Sequence, residues 1–145
     1  PTSQVIPHEP MAYFFDLNTG EVFTAPTVQR GPLETASGPY QGHPAGVRAH
    51  VYACQSCDDP TRRFVGWLEI PIATLADSDP EKYQHLLNRD NTQGEVASTM
   101  VRRPTDDEWL LTDSPEAVKI FEDIDSHCSN NESVYRCRPP SRPVE

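Results

Sequence analysis

The sequence predicts an α+β fold: a small antiparallel β-sheet with long loops, a short helix over about 80–88, a C-terminal helix over about 115–127, and cysteine cross-links. Three observations point there. Residues 47–54 alternate apolar and polar side chains, and 64–70 offer a return strand. Asp79-Pro80-Glu81 and Ser114-Pro115-Glu116 each place a capping side chain, a proline and an acid in the order that opens a helix. Fifteen prolines and a hydrophobic share of 36% leave a modest core, which four cysteines can reinforce. The 145 residues fit a single domain over 11–138, with an extended leader at 1–10 and a flexible tail at 139–145.

"MAYFFDLNTGEVF" carries aromatic residues on both sides of Asp16–Gly20, and Gly20 supplies the positive φ of a tight hairpin. Tyr13, Phe15 and Phe23 are expected on its buried side. Prolines 26, 32, 39 and 44 exclude a helix or central strand from 24–46, which reads as a long loop. In "VRAHVYAC", Val47, Ala49, Val51 and Ala53 form the buried face of a strand, and "FVGWLEI" returns beside it until Pro71. A strand is expected over 96–103, with Trp109-Leu110-Leu111 either pairing with it or plugging the core. In the second helix, Ala117, Phe121, Ile124 and Cys128 form one buried stripe.

Twelve Lys and Arg against 22 Asp and Glu give a net charge of −10, which repels phosphate backbones and anionic headgroups and argues against nucleic acid as a partner. No apolar run reaches the length of a membrane span. The start "PTSQVIPHEP" suggests a signal or anchor upstream of Pro1.

Cys54 and Cys57 form a Cys-x-x-Cys in the loop between the two central strands. Dithiol catalysis requires such a pair at a helix N-terminus, whereas two aspartates and a loop follow this one. Three accounts stay open, one of them being four free, buried thiols. Cys54, Cys57, Cys128 and Cys137 form two disulfides of undetermined pairing, among which a Cys128–Cys137 loop would contribute roughly 2–3 kcal/mol. Alternatively, the same four thiolates hold a structural zinc ion. His8, His43, His50, His85 and His127 show no ligand spacing among themselves. The acidic pairs lack the rhythm of a calcium loop. No nucleophile elbow, phosphate loop or HExxH motif is present, so no enzyme, catalytic residue or cofactor is expected beyond the zinc alternative.

Two resemblances add to this. "AYFFDLNTGEVFTAP" resembles the second and third strands of a WW domain, which implies a proline-binding role for Tyr13 and Phe23. "YFFDLNTGEVF", "PAGVRAHVYACQSC", "RFVGWLE" and "EWLLTDSPEA", with the late Cys128 and Cys137, resemble planctomycete-type bacterial proteins that carry one N-terminal membrane helix and a small exported domain. This resemblance implies an anchor upstream of Pro1 and a location outside the cytoplasm. The expectation is a non-enzymatic, extracytoplasmic accessory or assembly subunit of an envelope complex, with Tyr13, Phe15 and Phe23 touching its protein partners. The alternatives are a zinc-ribbon-like module and a pilin-like subunit whose Cys128–Cys137 loop would resemble the C-terminal loop of pilins.

Overall fold

The computed structural model describes residues 6–29, 31–87 and 99–144. It contains the antiparallel sheet, long loops, short helices and cross-links that the sequence predicts. The strands are β1 (His8–Glu9), β2 (Met11–Asp16), β3 (Val22–Pro26), β4 (Gly46–Cys54) and β5 (Arg63–Pro71). Helices α1 (Leu75–Ser78) and α2 (Pro80–Leu87) follow, then β6 (Thr99–Arg102), β7 (Leu110–Leu111), α3 (Pro115–Glu122), β8 (Val134–Arg136) and β9 (Arg142–Pro143). The main sheet runs β3-β2-β4-β5-β6-β7, with β8 also paired to β4. All its pairings are antiparallel.

The β2–β3 hairpin closes as its turn chemistry demands. Gly20 takes φ +80° and its N–H reaches the Asp16 carbonyl at 2.8 Å, while the Asn18 N–H caps the Asp16 carboxylate at 2.9 Å. Ser37 donates to the same carboxylate, which ties the long loop to the turn. Burial alone would push this carboxyl up, but the bonds from Ser37 and Asn18 outweigh it and hold it below its usual range. The expected loop begins later than proline counting suggests, because Thr24–Pro26 complete β3. That strand lies at the sheet edge, where a proline forfeits no ladder bond.

The expected burial of β4 holds: Val47, Ala49, Val51 and Ala53 join Leu68, Ile70, Met100 and Trp109 in the largest apolar cluster. The other face is covered too. Phe14, fully buried, stacks on Phe23, while Val101, Ala117 and Ile120 seat α3. The β4–β5 register slips by one between His50 and Val51, leaving Gly66 without a partner. A Cβ on Gly66 would lie 2.5 Å from Ile124 Cδ1 and 2.7 Å from Tyr52 Cδ1, so only glycine lets these layers meet.

The capping signals place both predicted helices. Asp79 Oδ1 accepts the Lys82 N–H at 3.2 Å, and Ser114 Oγ accepts the Ala117 N–H at 3.3 Å. Asn88, the expected end of the first helix, and residues 96–98 of the expected strand lie outside the described residues. Trp109 plugs the core while Leu110–Leu111 pair with β6. The second helix shortens to Pro115–Glu122 and tightens into a 3₁₀ turn over Asp123–His127. Ile120 replaces Phe121 as its buried residue, and Cys128 is extended and lies beyond the stripe. The expected leader and tail each carry a short strand. Their segments β1 and β9 pair as a two-stranded ribbon, held by Arg142 Nε on Glu9 Oε1 at 2.6 Å.

The cysteines form Cys54–Cys128 and Cys57–Cys137, with Cα separations of 5.5 and 5.6 Å. The Cys128–Cys137 loop, and with it the pilin comparison, is replaced by this pairing. No described cysteine keeps a free thiol, so the four-thiolate zinc set does not exist in this structure. Each bridge alone would close a loop of more than 70 residues. Together they share one loop, and the second bridge adds only a ring of about a dozen residues, because its partners sit close to the first bridge. Loop entropy then gives about 3 kcal/mol for removing either bridge and about 7 kcal/mol for removing both. Urea midpoints of the Cys57→Ser/Cys137→Ser variant and of the four-serine variant check this. The account fails if the four-serine chain loses no more than the two-serine chain.

Candidate functional site

The Cys-x-x-Cys sits where β4 ends. Gln55 turns the chain with φ 73°, and the Asp59 carboxylate accepts the Thr61 N–H at 3.0 Å to start the turn into β5. The loop serves as an anchor. Its two cysteines grip both ends of the segment 128–137, and β8 inside that segment pairs Arg136, Tyr135 and Val134 with Tyr52, Ala53 and Cys54. The Arg62–Glu132 ion pair adds a polar tie.

This attachment splits one edge of β4. β5 occupies the other edge along Arg48–Ala53, so β2, on Gly46–Ala49, and β8, on Tyr52–Cys54, must share the remaining one. The two strands diverge at His50 and Val51. Met11 and Ala12 continue along β3 alone, while the Cys137 N–H reaches the Val51 carbonyl at 2.8 Å. A cleft of about 320 Å³ opens at the fork, with Arg48, Arg136, Arg138, His50 and Tyr13 among its walls.

His50 is the buried titratable group of this wall. Its ring stacks on Trp67 with centroids 3.6 Å apart, and Nε2 lies 3.1 Å from Glu69 Oε1. Arg136 Nη2 donates to Nδ1, which assigns the proton to Nε2 and makes Glu69 its acceptor. Burial pushes the imidazole pKa below its ordinary value, more than the Glu69 carboxylate raises it. Glu69 moves down as well, because its bond from His50 outweighs its own burial.

The residues expected to contact a partner are not gathered into one surface. In the β2–β3 register Phe14 faces Phe23, which places Phe23 on one side of the hairpin and Tyr13 and Phe15 on the other. Phe23 covers Phe14, Phe15 packs half-buried on the main core, and Tyr13 alone also lines the cleft. A joint proline-binding surface from Tyr13 and Phe23 therefore lacks the shared face it needs. His127 is exposed at the helix end and stacks on Phe64 with ring centroids 4.3 Å apart. Among the described residues no group of three or more His, Cys, Asp or Glu is placed to hold a metal.

Sequence reasoning missed Arg136 and Arg138, which sit in a stretch read as the approach to a frayed tail. The signal that could have found them was "RCR": whichever partner Cys137 takes, its two flanking arginines go with it. The chain matches no protein-family model, no curated protein and no solved structure.

His50 predicts an acid-sensitive window. The unfolded imidazole takes up a proton near pH 6.5, whereas the folded one resists until lower pH, so stability falls as the pH drops below about 6.5. Glu69 contributes above its unfolded value and is lost only at lower pH. Denaturant midpoints at pH 7 and pH 5 should diverge in the wild type and converge in His50→Gln. Equal divergence in both proteins would contradict the assignment.

Proposed function

We propose that this chain is a non-enzymatic, extracytoplasmic accessory or assembly subunit of a larger envelope complex, and that the forked cleft is the surface it offers to a partner. The two disulfides carry the reading. Bridges spanning 74 and 80 residues persist in an oxidising compartment and are rare where thiols are kept reduced. The non-catalytic part is supported by His50: both ring nitrogens are engaged, by Glu69 and Arg136, so neither is free to take a proton from a substrate. No helix among the described residues is long and apolar enough to cross a membrane. An anchor of the kind the resemblance implies would lie outside the 145 residues.

Intact mass of the chain from its native source tests the compartment, and co-purification from the same extract tests the role. The denatured, unreduced chain is expected to be lighter than the reduced one by about four hydrogens, the loss for two disulfides, to resist alkylation, and to arrive with a stoichiometric protein partner. Four alkylated thiols and one native zinc would overturn the export reading in favour of the zinc module. A monodisperse monomer without a partner would overturn the accessory role.

A further inference from the structure

Three of the chain's 12 basic residues line the forked cleft, and among the described residues no acidic side chain does. In a chain of net charge −10 this is a local reversal of sign. The staple produces it, since Arg136 and Arg138 flank Cys137, and the Cys57–Cys137 bridge brings both beside Arg48 on β4. Among the described residues neither Arg48 nor Arg138 has an ion-pair partner. Arg48 rests over the Phe14 ring at 5.9 Å, and Glu69, the neighbouring carboxylate, is committed to His50.

We propose that this cleft binds a carboxylate carried on a short apolar chain. Guanidinium forks match the two oxygens of a carboxylate and hold it by charge-assisted hydrogen bonds. Met11, Ala12, Val51 and Pro139 are among the other lining residues, beside the hydroxyls of Thr27 and Ser141, and an apolar chain gains burial against them. A phosphate or sulfate would meet the same guanidiniums but, hydrated on every side, gains nothing from the apolar part of the lining. The same chemistry is presented by a free small acid and by the C-terminus of an extended peptide. The fork suits the peptide in one further respect: β2 at Met11 and Ala12 has a strand neighbour on one side only, so its main chain offers an open edge. This assignment rests on the cleft being the binding surface and is independent of export.

Calorimetric titration of the full oxidised chain tests it with four probes: acetyl-Ala-Leu-Val with a free carboxyl, its C-terminal amide, 3-methylbutanoate and inorganic phosphate. The free-acid peptide should bind, the amide should not, and Arg138→Gln and Arg48→Gln should each weaken binding by about tenfold, the loss expected for one charge-assisted bond. Arg138 is exposed, so an unchanged urea midpoint in its variant separates lost binding from lost folding. Binding of 3-methylbutanoate as tightly as the peptide assigns the site to free acids, and binding of the peptide alone assigns it to a C-terminus. Binding of acid and amide alike, phosphate bound more tightly than either carboxylate probe, or indifference to Arg138→Gln overturns the proposal. If no probe binds while the native chain still brings down its partner, the carboxylate assignment fails and the accessory role stands. If carboxylate binds and no partner co-purifies, the carboxylate assignment stands and the accessory role fails.

Discussion

The clamping of residues 128–137 onto the end of β4 is the constraint on which the rest of the structure depends. β8 is three residues long, with Val134 half-buried and Tyr135 and Arg136 exposed, so it brings little apolar surface to the sheet. A strand of that length does not hold its place by backbone bonds alone. Cys54–Cys128 fixes the chain before β8 and Cys57–Cys137 fixes it after, which converts a weak pairing into a permanent one. The Cys-x-x-Cys is thus a two-point anchor. Its spacing matters because both sulfurs leave the same turn to reach opposite ends of one segment.

From that anchor the polar architecture follows. Once β8 occupies the far half of the β4 edge, Arg136 reaches the imidazole of His50, which Trp67 covers and Glu69 completes. A buried histidine with one unpaired nitrogen would be costly, and this arrangement leaves neither unpaired. The same packing demands Gly66, since Tyr52 and Ile124 occupy the space a side chain there would need. Trp67 meets Phe121 of α3 edge-on at 5.0 Å, so the helical layer and the polar strip share one support. A contrasting cation lies at the other end of the sheet. Arg102, 4% exposed, is flanked by the rings of Tyr40 and Trp109, and among the described residues its Nε and Nη1 find no hydrogen-bond acceptor. Aromatic faces compensate that charge in part.

What was legible in the sequence was what local chemistry decides. Gly20, Asp79 and Ser114 announce their turn and caps within four residues, and the β4 alternation reports a strand with one strongly apolar face. The "MAYFF" run misled because both faces of β2 are covered: no period-two contrast separates Phe14 from its neighbours, and the parity of the buried face was lost. β8 and β9 were illegible for a different reason. They are short, polar and set among prolines, and they pair only because distant segments hold them. Cysteine partnership is likewise a tertiary fact, since four cysteines allow three pairings and linear spacing does not choose among them. With the pairing unknown, Arg136 and Arg138 could not be joined to Arg48, and the cleft had no representation in the linear chain.

Amide hydrogen exchange on the Cys57→Ser/Cys137→Ser variant tests the central claim most directly, because it removes one anchor point and leaves the other. The account predicts that amides of Val134–Arg136 lose protection while those of β4 and β5 that pair with each other keep theirs, the signature of a segment held by its cross-links. Wild-type protection across β8 in that variant would show that the strand holds itself, and would contradict the account.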